Sequence, residues 1–294
     1  MKRFAALLLC LICAAALFGC GKKEPVAEPE PLPVKTASTL AYNNGSTTLR
    51  FSNSDGKWVW TDGPTFPLDD STIQQILAEL PKILATKPEK GSVDLAVCGL
   101  AEPMRYLTVT GAEGSQMLYF GNQTAGKKWY MRLADGDAVY LIPNDFMLLL
   151  SQNIYDMAIL PTLPELTEEN VTFISVSRGE ENQTYFLRTE DVWKSNGKVA
   201  TATVQELLKE LAGVEILRCV DYFPASGVAE LCGLTEEAIQ ATIKYTNTVG
   251  TESELVLTFG GEMETEEGLY VTIGDSDAIY CLPKGQCETF LSLL

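Results

Sequence analysis

Two stretches of the chain carry apolar residues at the three- and four-residue spacing of a half-buried helix. The first stripe is Ile73, Ile76, Leu77, Leu80 and Leu84, and the second is Val204, Leu207, Leu208, Leu211 and Val214. This spacing predicts one main helix in each half of the chain. Thr72 with Gln75, and Thr203 with Glu206, follow the capping-box pattern and predict where the two helices begin.

Short runs with strand-like alternation surround both stripes and predict antiparallel strands. Thr47 to Phe51 and Lys57 to Trp60 predict a hairpin before the first helix, and Val171 to Ser177 and Thr184 to Arg188 predict a hairpin before the second. Further strands are expected at 106–110, 117–120, 128–133 and 138–142, and at 241–245, 255–259, 268–273 and 278–282. Each half is expected to close with a short helical segment.

The two halves also repeat short sequences. Cys98-Gly99-Leu100 recurs as Cys232-Gly233-Leu234, and Val139 to Pro143 recurs as Ile279 to Pro283. A period this long predicts two copies of one small domain rather than a solenoid. We therefore predict an α+β fold with two similar subdomains, each a mainly antiparallel sheet packed with one main helix. Their predicted bounds are 39–160 and 165–294.

The N-terminus has the composition of a leader. Lys2 and Arg3 precede an unbroken apolar run that ends at Gly19. The run is shorter than the roughly 20 residues that a membrane-spanning helix needs. It therefore predicts a signal peptide over residues 1–19.

The end of this run resembles the bacterial lipobox. Leu17-Phe18-Gly19-Cys20 predicts cleavage before Cys20 and attachment of a lipid to its thiol; an ordinary secretory signal with an incidental cysteine is the alternative. Residues 20–38 are rich in Pro, Glu and Lys and are predicted to form a disordered tether. Together these features predict a protein anchored by lipid on the extracytoplasmic face of the cell membrane.

Charge and composition exclude several functions. The formal net charge of −17 disfavours nucleic acid and bare anionic lipid as partners. The chain contains no histidine, which excludes Ser-His-Asp and Cys-His catalysis and the usual zinc sites. We therefore expect no enzyme activity, no cofactor and no metal, although chemistry that uses carboxylates alone stays open.

Five cysteines follow the predicted lipid site. They are Cys98, Cys219, Cys232, Cys281 and Cys287. An odd number leaves at least one thiol unpaired in a monomer. Buried free thiols and one disulfide between Cys281 and Cys287 are both compatible with the sequence, and the matching positions of Cys98 and Cys232 predict core residues.

Two local patterns carry candidate binding chemistry. Lys128, Trp129, Tyr130 and Arg132 form a basic–aromatic cluster suited to a sugar, a polymer or an acidic partner, or else an ordinary exposed strand. Residues 135–137 and 275–277 repeat an Asp-x-Asp pattern. A hairpin turn explains this pattern better than a calcium loop, because no further acidic residue follows at the required spacing.

The order of motifs resembles a known family. The motifs are a Trp-bearing hairpin, a helix, a Gly99-Leu100 turn with Pro103 behind it, a Leu118 to Gly121 strand end and a Tyr130-x-Arg132 strand. This order is similar to the domain-of-unknown-function family 4340 over roughly residues 40–294. The resemblance implies a bacterial envelope lipoprotein encoded near ABC-transporter genes, and it supplies no catalytic residues.

These observations favour a non-enzymatic, lipid-anchored binding or scaffold protein. Its expected partners are the membrane, through the lipid, and an unidentified envelope protein, with an ABC-type system as the candidate. A solute-binding lipoprotein of an importer is the first alternative, although blocks of strands with few helices argue against it. A carboxylate-dependent hydrolase acting on envelope polymers is the second.

Overall fold

The computed structural model describes residues 36–89, 93–179, 182–190, 192–264 and 268–294. The predicted signal peptide, Cys20 and residues 20–35 of the predicted tether lie outside the described residues. None of the helices in the described part of the chain combines the length and apolar character that crossing a membrane requires.

The first subdomain contains a seven-stranded antiparallel sheet. Its strands are β1 (Ala37–Asn43), β2 (Thr48–Ser54), β3 (Lys57–Trp60), β4 (Arg105–Gly111), β5 (Gly114–Gln123), β6 (Lys128–Leu133) and β7 (Val139–Pro143). Their order across the sheet is β3-β2-β1-β4-β5-β6-β7. Helix α1 (Ser71–Leu84) connects β3 to the segment before β4, and the short helix α2 (Asn144–Leu149) follows β7.

The second subdomain contains a nine-stranded antiparallel sheet. Its strands are β8 (Val171–Arg178), β9 (Asn182–Thr189), β10 (Val192–Ser195), β11 (Lys198–Val199), β12 (Arg218–Asp221), β13 (Ile239–Thr246), β14 (Glu252–Glu262), β15 (Gly268–Ile273) and β16 (Ile279–Pro283). Their order is β11-β10-β9-β8-β13-β14-β15-β16-β12. The helices are α3 (Thr201–Gly213), α4 (Val228–Leu231) and α5 (Glu288–Leu291), and single 3₁₀ turns lie at Tyr155–Met157 and Lys284–Gln286.

The seven inner strands of the second sheet follow the same order as the whole first sheet, with β11 and β12 added at the edges. In each subdomain the main helix buries its apolar stripe against one face of the sheet. Ile73, Ile76 and Leu80 of α1 are fully buried, as are Val204 and Leu207 of α3. The predicted α+β fold with two antiparallel subdomains is therefore confirmed.

Each sheet opens with three strands, whereas the sequence predicted a hairpin. β1 begins at Ala37, inside the segment predicted as a tether, and it buries Leu40 and Tyr42 in the first core. The other residues of β1 are small or polar, so its alternation of apolar and polar positions is weak. The adjacent Pro-rich stretch made the segment resemble a tether. The Trp-bearing hairpin β2–β3 therefore corresponds to β9–β10, which contains Trp193, and not to the predicted pair β8–β9.

The predicted capping boxes are wrong. Helix α1 has Asp70 at its N-cap and α3 has Ala200 there, and neither residue makes a side-chain cap hydrogen bond. Thr72 instead lies inside α1, where its hydroxyl donates to Oε1 of Gln152 at 2.8 Å. Both helices begin before the threonine that was predicted to cap them. In α1, the Thr72 hydroxyl therefore bonds to the distant Gln152 side chain and not to the local backbone.

Aromatic side chains join the two subdomains. Phe66 of the first subdomain packs edge-on against Tyr222 of the second at 5.2 Å between ring centroids, and the Trp60 and Phe223 rings are 6.4 Å apart. The Tyr155 hydroxyl donates a 2.6 Å hydrogen bond to Oδ1 of Asp221 at the end of β12. The junction therefore combines apolar packing with a polar contact that fixes the relative position of β12.

Candidate functional site

A cleft of about 450 Å³ opens at one end of the first sheet. At this end β4 and β6 begin and β5 finishes in a bulge, where its register with β6 shifts between Phe120 and Gln123. Residues of the Cys98-Gly99-Leu100 segment and of the turn between β1 and β2 complete the walls. Strands that are distant in sequence therefore place their end residues around one opening.

The Cys98-Gly99-Leu100 turn packs directly on the bulge of β5. The Asn122 backbone N–H donates to the Cys98 carbonyl oxygen at 2.7 Å. A Cβ atom at Gly121 would lie only 2.0 Å from the same oxygen. The approach requires glycine at this position, which explains the Leu118 to Gly121 motif as a structural one.

Arg105 provides the cationic group of the cleft. Its guanidinium carbon lies 4.9 Å from the centroid of the Trp129 ring, which is cation–π geometry. A Cβ atom at Gly45 would lie 2.8 Å from Nε of Arg105, so the missing side chain there makes room for the guanidinium. The Arg105 side chain is thus held flat against an aromatic ring while its residue remains partly exposed.

Asn144, the first residue of α2, fixes the position of the aromatic ring. Its Oδ1 accepts hydrogen bonds from Nε1 of Trp129 at 3.0 Å and from Nε2 of Gln123 at 2.8 Å. Both donors line the cleft. One amide oxygen therefore sets the orientation of two of the side chains that a ligand would contact.

The second subdomain contains the same turn but a different end of the sheet. The Gly261 N–H donates to the Cys232 carbonyl oxygen at 2.7 Å, as Asn122 does to Cys98. By strand register, Ile239 takes the place of Arg105 and Leu269 that of Trp129. These two apolar residues are 7% and 3% exposed, so a buried core replaces the charged cleft.

The predicted basic–aromatic cluster does not form one surface. Because successive strand residues point to opposite faces, Trp129 lies on the core side of β6 and enters the cleft. Lys128 is exposed, while Tyr130 and Arg132 point to the outer face, where Arg132 stacks 4.7 Å from the Tyr119 ring centroid. Trp129 alone of the four lines the cleft.

The sequence patterns did not indicate Arg105, Asn122 or Gln123 as site residues. A signal for Arg105 exists in the comparison of the two sheets, because a charged residue in the first sheet stands where the second has Ile239. Cys20, the predicted lipid site, lies outside the described residues. The Asp-x-Asp segments lie in the tight connections β6–β7 and β15–β16, as the turn interpretation predicts.

The five cysteines are buried. Cys98, Cys219, Cys232, Cys281 and Cys287 form no disulfide, so the alternative of buried thiols is the one observed and the Cys281–Cys287 disulfide is not. Burial and the nearby Asp94 carboxylate raise the pKa of Cys98, while a hydrogen bond with Tyr130 opposes the shift. Within the described ranges, no three residues of the metal-binding types are grouped closely enough to hold an ion.

A larger cavity of about 700 Å³ lies between residues 160–167 and the end of α3. Its walls are mostly Leu, Pro and Thr, with Glu165 and Glu215 as the charged residues. No aromatic or cationic side chain lines it within the described part of the chain. Recognition of a specific ligand needs convergent polar groups, so the smaller cleft is the better candidate.

The fold is a two-subdomain α+β architecture, and the cleft at Arg105 is its candidate binding site. The profile of a family described as Domain of unknown function (DUF4340) matches residues 58–236, and the chain belongs to this family. The match runs from β3 to the segment before β13 and is narrower than the predicted range of 40–294. No curated protein and no solved structure matches the chain.

Proposed function

We propose that this protein is a non-enzymatic, lipid-anchored binding protein of the cell envelope. Its lipid would be attached at Cys20, and the cleft formed around Arg105 and Trp129 would contact the ligand or partner. The N-terminal basic, apolar and Leu17-to-Cys20 segments support the anchor. An ABC-type envelope system is the proposed assembly with which the protein acts.

The main support for a binding role is the difference between the two sheets at equivalent positions. Similar strand orders lead to a charged, open cleft in one subdomain and to a buried core at the same register in the other. The stacking of Arg105 on Trp129 is not needed for the fold, because the second sheet has the buried apolar residues Ile239 and Leu269 at the equivalent positions. We also propose that the two subdomains are tandem copies of one ancestral domain, of which only the first kept the cleft.

A solute-binding lipoprotein of an importer is the second candidate. The cleft volume of about 450 Å³ favours it, because pockets for small molecules typically measure about 300–1,000 Å³. The two candidates differ in what occupies the cleft: a segment of a partner protein or a soluble molecule.

The anchor is tested by metabolic labelling with an alkyne fatty acid in the native cell. We expect label on the wild-type protein after cleavage before Cys20, and we expect the label and membrane association to disappear in Cys20→Ser. Arg105→Met is the matched control and should be labelled like the wild type. Equal labelling of Cys20→Ser would exclude the proposed lipid site.

The binding role is tested by a photoreactive amino acid at Met104, which lines the cleft and is 73% exposed. Irradiation of intact cells should yield a discrete crosslinked protein that disappears when Arg105→Met is added. The control position is Val249, which is 82% exposed on the second subdomain. Identical products from both positions would contradict a partner at the cleft.

A further inference from the structure

The charge of Arg105 is not paired with the carboxylate of any described residue. Arg50 forms an ion pair with Asp62 at 3.6 Å, and the Nε of Arg132 donates to the Leu100 carbonyl oxygen. Arg105 has neither an ion pair nor a hydrogen bond to any described residue; its guanidinium stacks on the Trp129 ring and occupies the space that a side chain at Gly45 would need. A guanidinium held flat in this way presents its N–H fork to the cleft, in the geometry that matches a planar carboxylate.

The polar groups around Arg105 are mainly acceptors. Asn122 donates through Nδ2 to the Val97 carbonyl oxygen at 3.1 Å, and Gln123 donates through Nε2 to Asn144. No described donor binds their amide oxygens, and both residues line the cleft together with Glu102. A ligand that fits this set carries one anionic group and N–H or O–H donors.

The charge balance of the cleft disfavours a multiply charged anion relative to a monoanion. Arg105 is the one cationic residue among the described residues that line the cleft, and Glu102 also lines it. The whole chain has a formal net charge of −17. A phosphate dianion would meet one positive group and repulsion from the rest, whereas a carboxylate needs only one guanidinium.

Resting on the proposed binding function, we infer that the cleft recognises a small monocarboxylate ligand that carries hydrogen-bond donors. The carboxylate binds the Arg105 fork, and the donors bind the oxygens of Asn122, Gln123 and Glu102. Amino acids, short peptides and acidic sugars share this chemistry. Amino acids and short peptides supply amine or amide N–H groups as donors, and acidic sugars supply hydroxyl groups.

The test is isothermal titration calorimetry on the full-length protein in detergent. The probes are N-acetylglycine, glycylglycine and glucuronate, with N-acetylglycinamide, glucose and inorganic phosphate as controls. We expect heat from at least one carboxylate, none from its uncharged counterpart and weaker binding of phosphate. A preference for the peptide-type probes or for glucuronate identifies the source of the ligand.

Three variants locate the site. Arg105→Met should weaken carboxylate binding by at least about tenfold. Arg132→Met removes the other stacked arginine of this sheet and should leave binding within about twofold, because Arg132 points to the outer face. Glu102→Gln keeps an acceptor oxygen and removes a negative charge, so it should tighten binding of N-acetylglycine and glucuronate, which carry no cationic group. This exposed position is suited to the test even if Arg105→Met folds poorly.

Several results would overturn the inference. The first is that no carboxylate probe binds, and the second is that phosphate binds more tightly than the carboxylate probes. The third is that Arg105→Met and Arg132→Met lose carboxylate affinity equally. The binding role itself is judged separately by the Met104 crosslink. A specific crosslink without carboxylate binding would reject the ligand class and retain the proposed function, whereas carboxylate binding without a crosslink would favour the soluble ligand over a protein partner.

Discussion

Gly121 shows how one residue controls the wall of the cleft. A Cβ atom there would press on the Cys98 carbonyl oxygen, which belongs to the backbone and cannot rotate away. We expect Gly121→Ala to lower the free energy of unfolding by about 2 kcal/mol, measured by urea denaturation. Gly136→Ala is the control, because a Cβ atom at Gly136 meets nothing within 4 Å. Its expected change is below about 0.5 kcal/mol, and equal effects would contradict the close approach.

Thiol reactivity is also set residue by residue. Burial and the Asp221 carboxylate raise the pKa of Cys219 to about 11, and burial and Glu210 raise that of Cys287 to about 12. Because the thiolate is the reactive form, we expect neither thiol to react with iodoacetamide near neutral pH in the folded protein. Both should react once guanidinium unfolds the chain, as peptide mass spectrometry would show. Rapid labelling of either cysteine before unfolding would contradict this expectation.

At the scale of elements, a carboxylate on α3 holds the start of α5. Oε1 of Glu210 accepts from the Thr289 backbone N–H at 3.0 Å and from the Thr289 hydroxyl at 2.7 Å. Glu210→Ala should cost about 1 kcal/mol of stability, since it removes both hydrogen bonds and a negative charge near a helix N-terminus. Glu206→Ala, an exposed position on the same helix, is the control. Similar chemical denaturation midpoints for the two variants would show that the contact contributes nothing.

Elements with regular apolar spacing were predictable from the sequence. The strands at 128–133 and 268–273 have the predicted bounds, and the main helices follow their stripes. β1 was missed because its alternation rests on Leu40 and Tyr42 alone, next to a Pro-rich segment. The start of α1 was misplaced because Thr72 lies inside the helix, where its hydroxyl bonds to Gln152, a partner that sequence spacing does not reveal.

The site was less predictable than the elements. Trp129 was among the predicted residues, but the adjacent residues of the cluster point to the other face of β6. β4 and β6 both pair antiparallel with β5, so the two strands begin at the same end of the sheet. Arg105 at the start of β4 therefore reaches Trp129 near the start of β6, across the bulged end of β5. Such a site depends on non-local strand pairing, and local pattern does not encode it.

At the scale of the whole molecule, Phe66 connects the two cores. Its ring contacts Trp60 and Tyr155 in the first subdomain and Tyr222 in the second, and it is 5% exposed. We expect Phe66→Ala to cost about 3–5 kcal/mol and to split one calorimetric unfolding transition into two. Tyr185→Ala, which removes a half-exposed ring from the second sheet, should leave a single transition. One transition in both variants would show that the junction does not couple the subdomains.

The polar contact of the junction makes this coupling depend on pH. Burial and the hydrogen bond to Asp221 raise the pKa of Tyr155 above its ordinary value of 10.0. Below pH 10 the phenol is protonated in both folded and unfolded chains, so its contribution to stability is fully present there. Above pH 10 the unfolded chain releases a proton that the folded protein retains, and stability falls as pH rises.

Tyr155→Phe removes this titration together with the hydrogen bond. We expect the variant to be less stable by about 1 kcal/mol near neutral pH and to lose less stability than the wild type on going from pH 9 to pH 11. Urea denaturation across this range measures both effects, with Tyr185→Phe as a control for a half-exposed hydroxyl. If the free energy of unfolding changes equally with pH in Tyr155→Phe and the wild type, the Tyr155–Asp221 hydrogen bond does not contribute to the pH dependence of stability. A shallower profile for the variant would make the Tyr155–Asp221 pair the polar lock that holds β12, and with it the second subdomain, against the subdomain that carries the cleft.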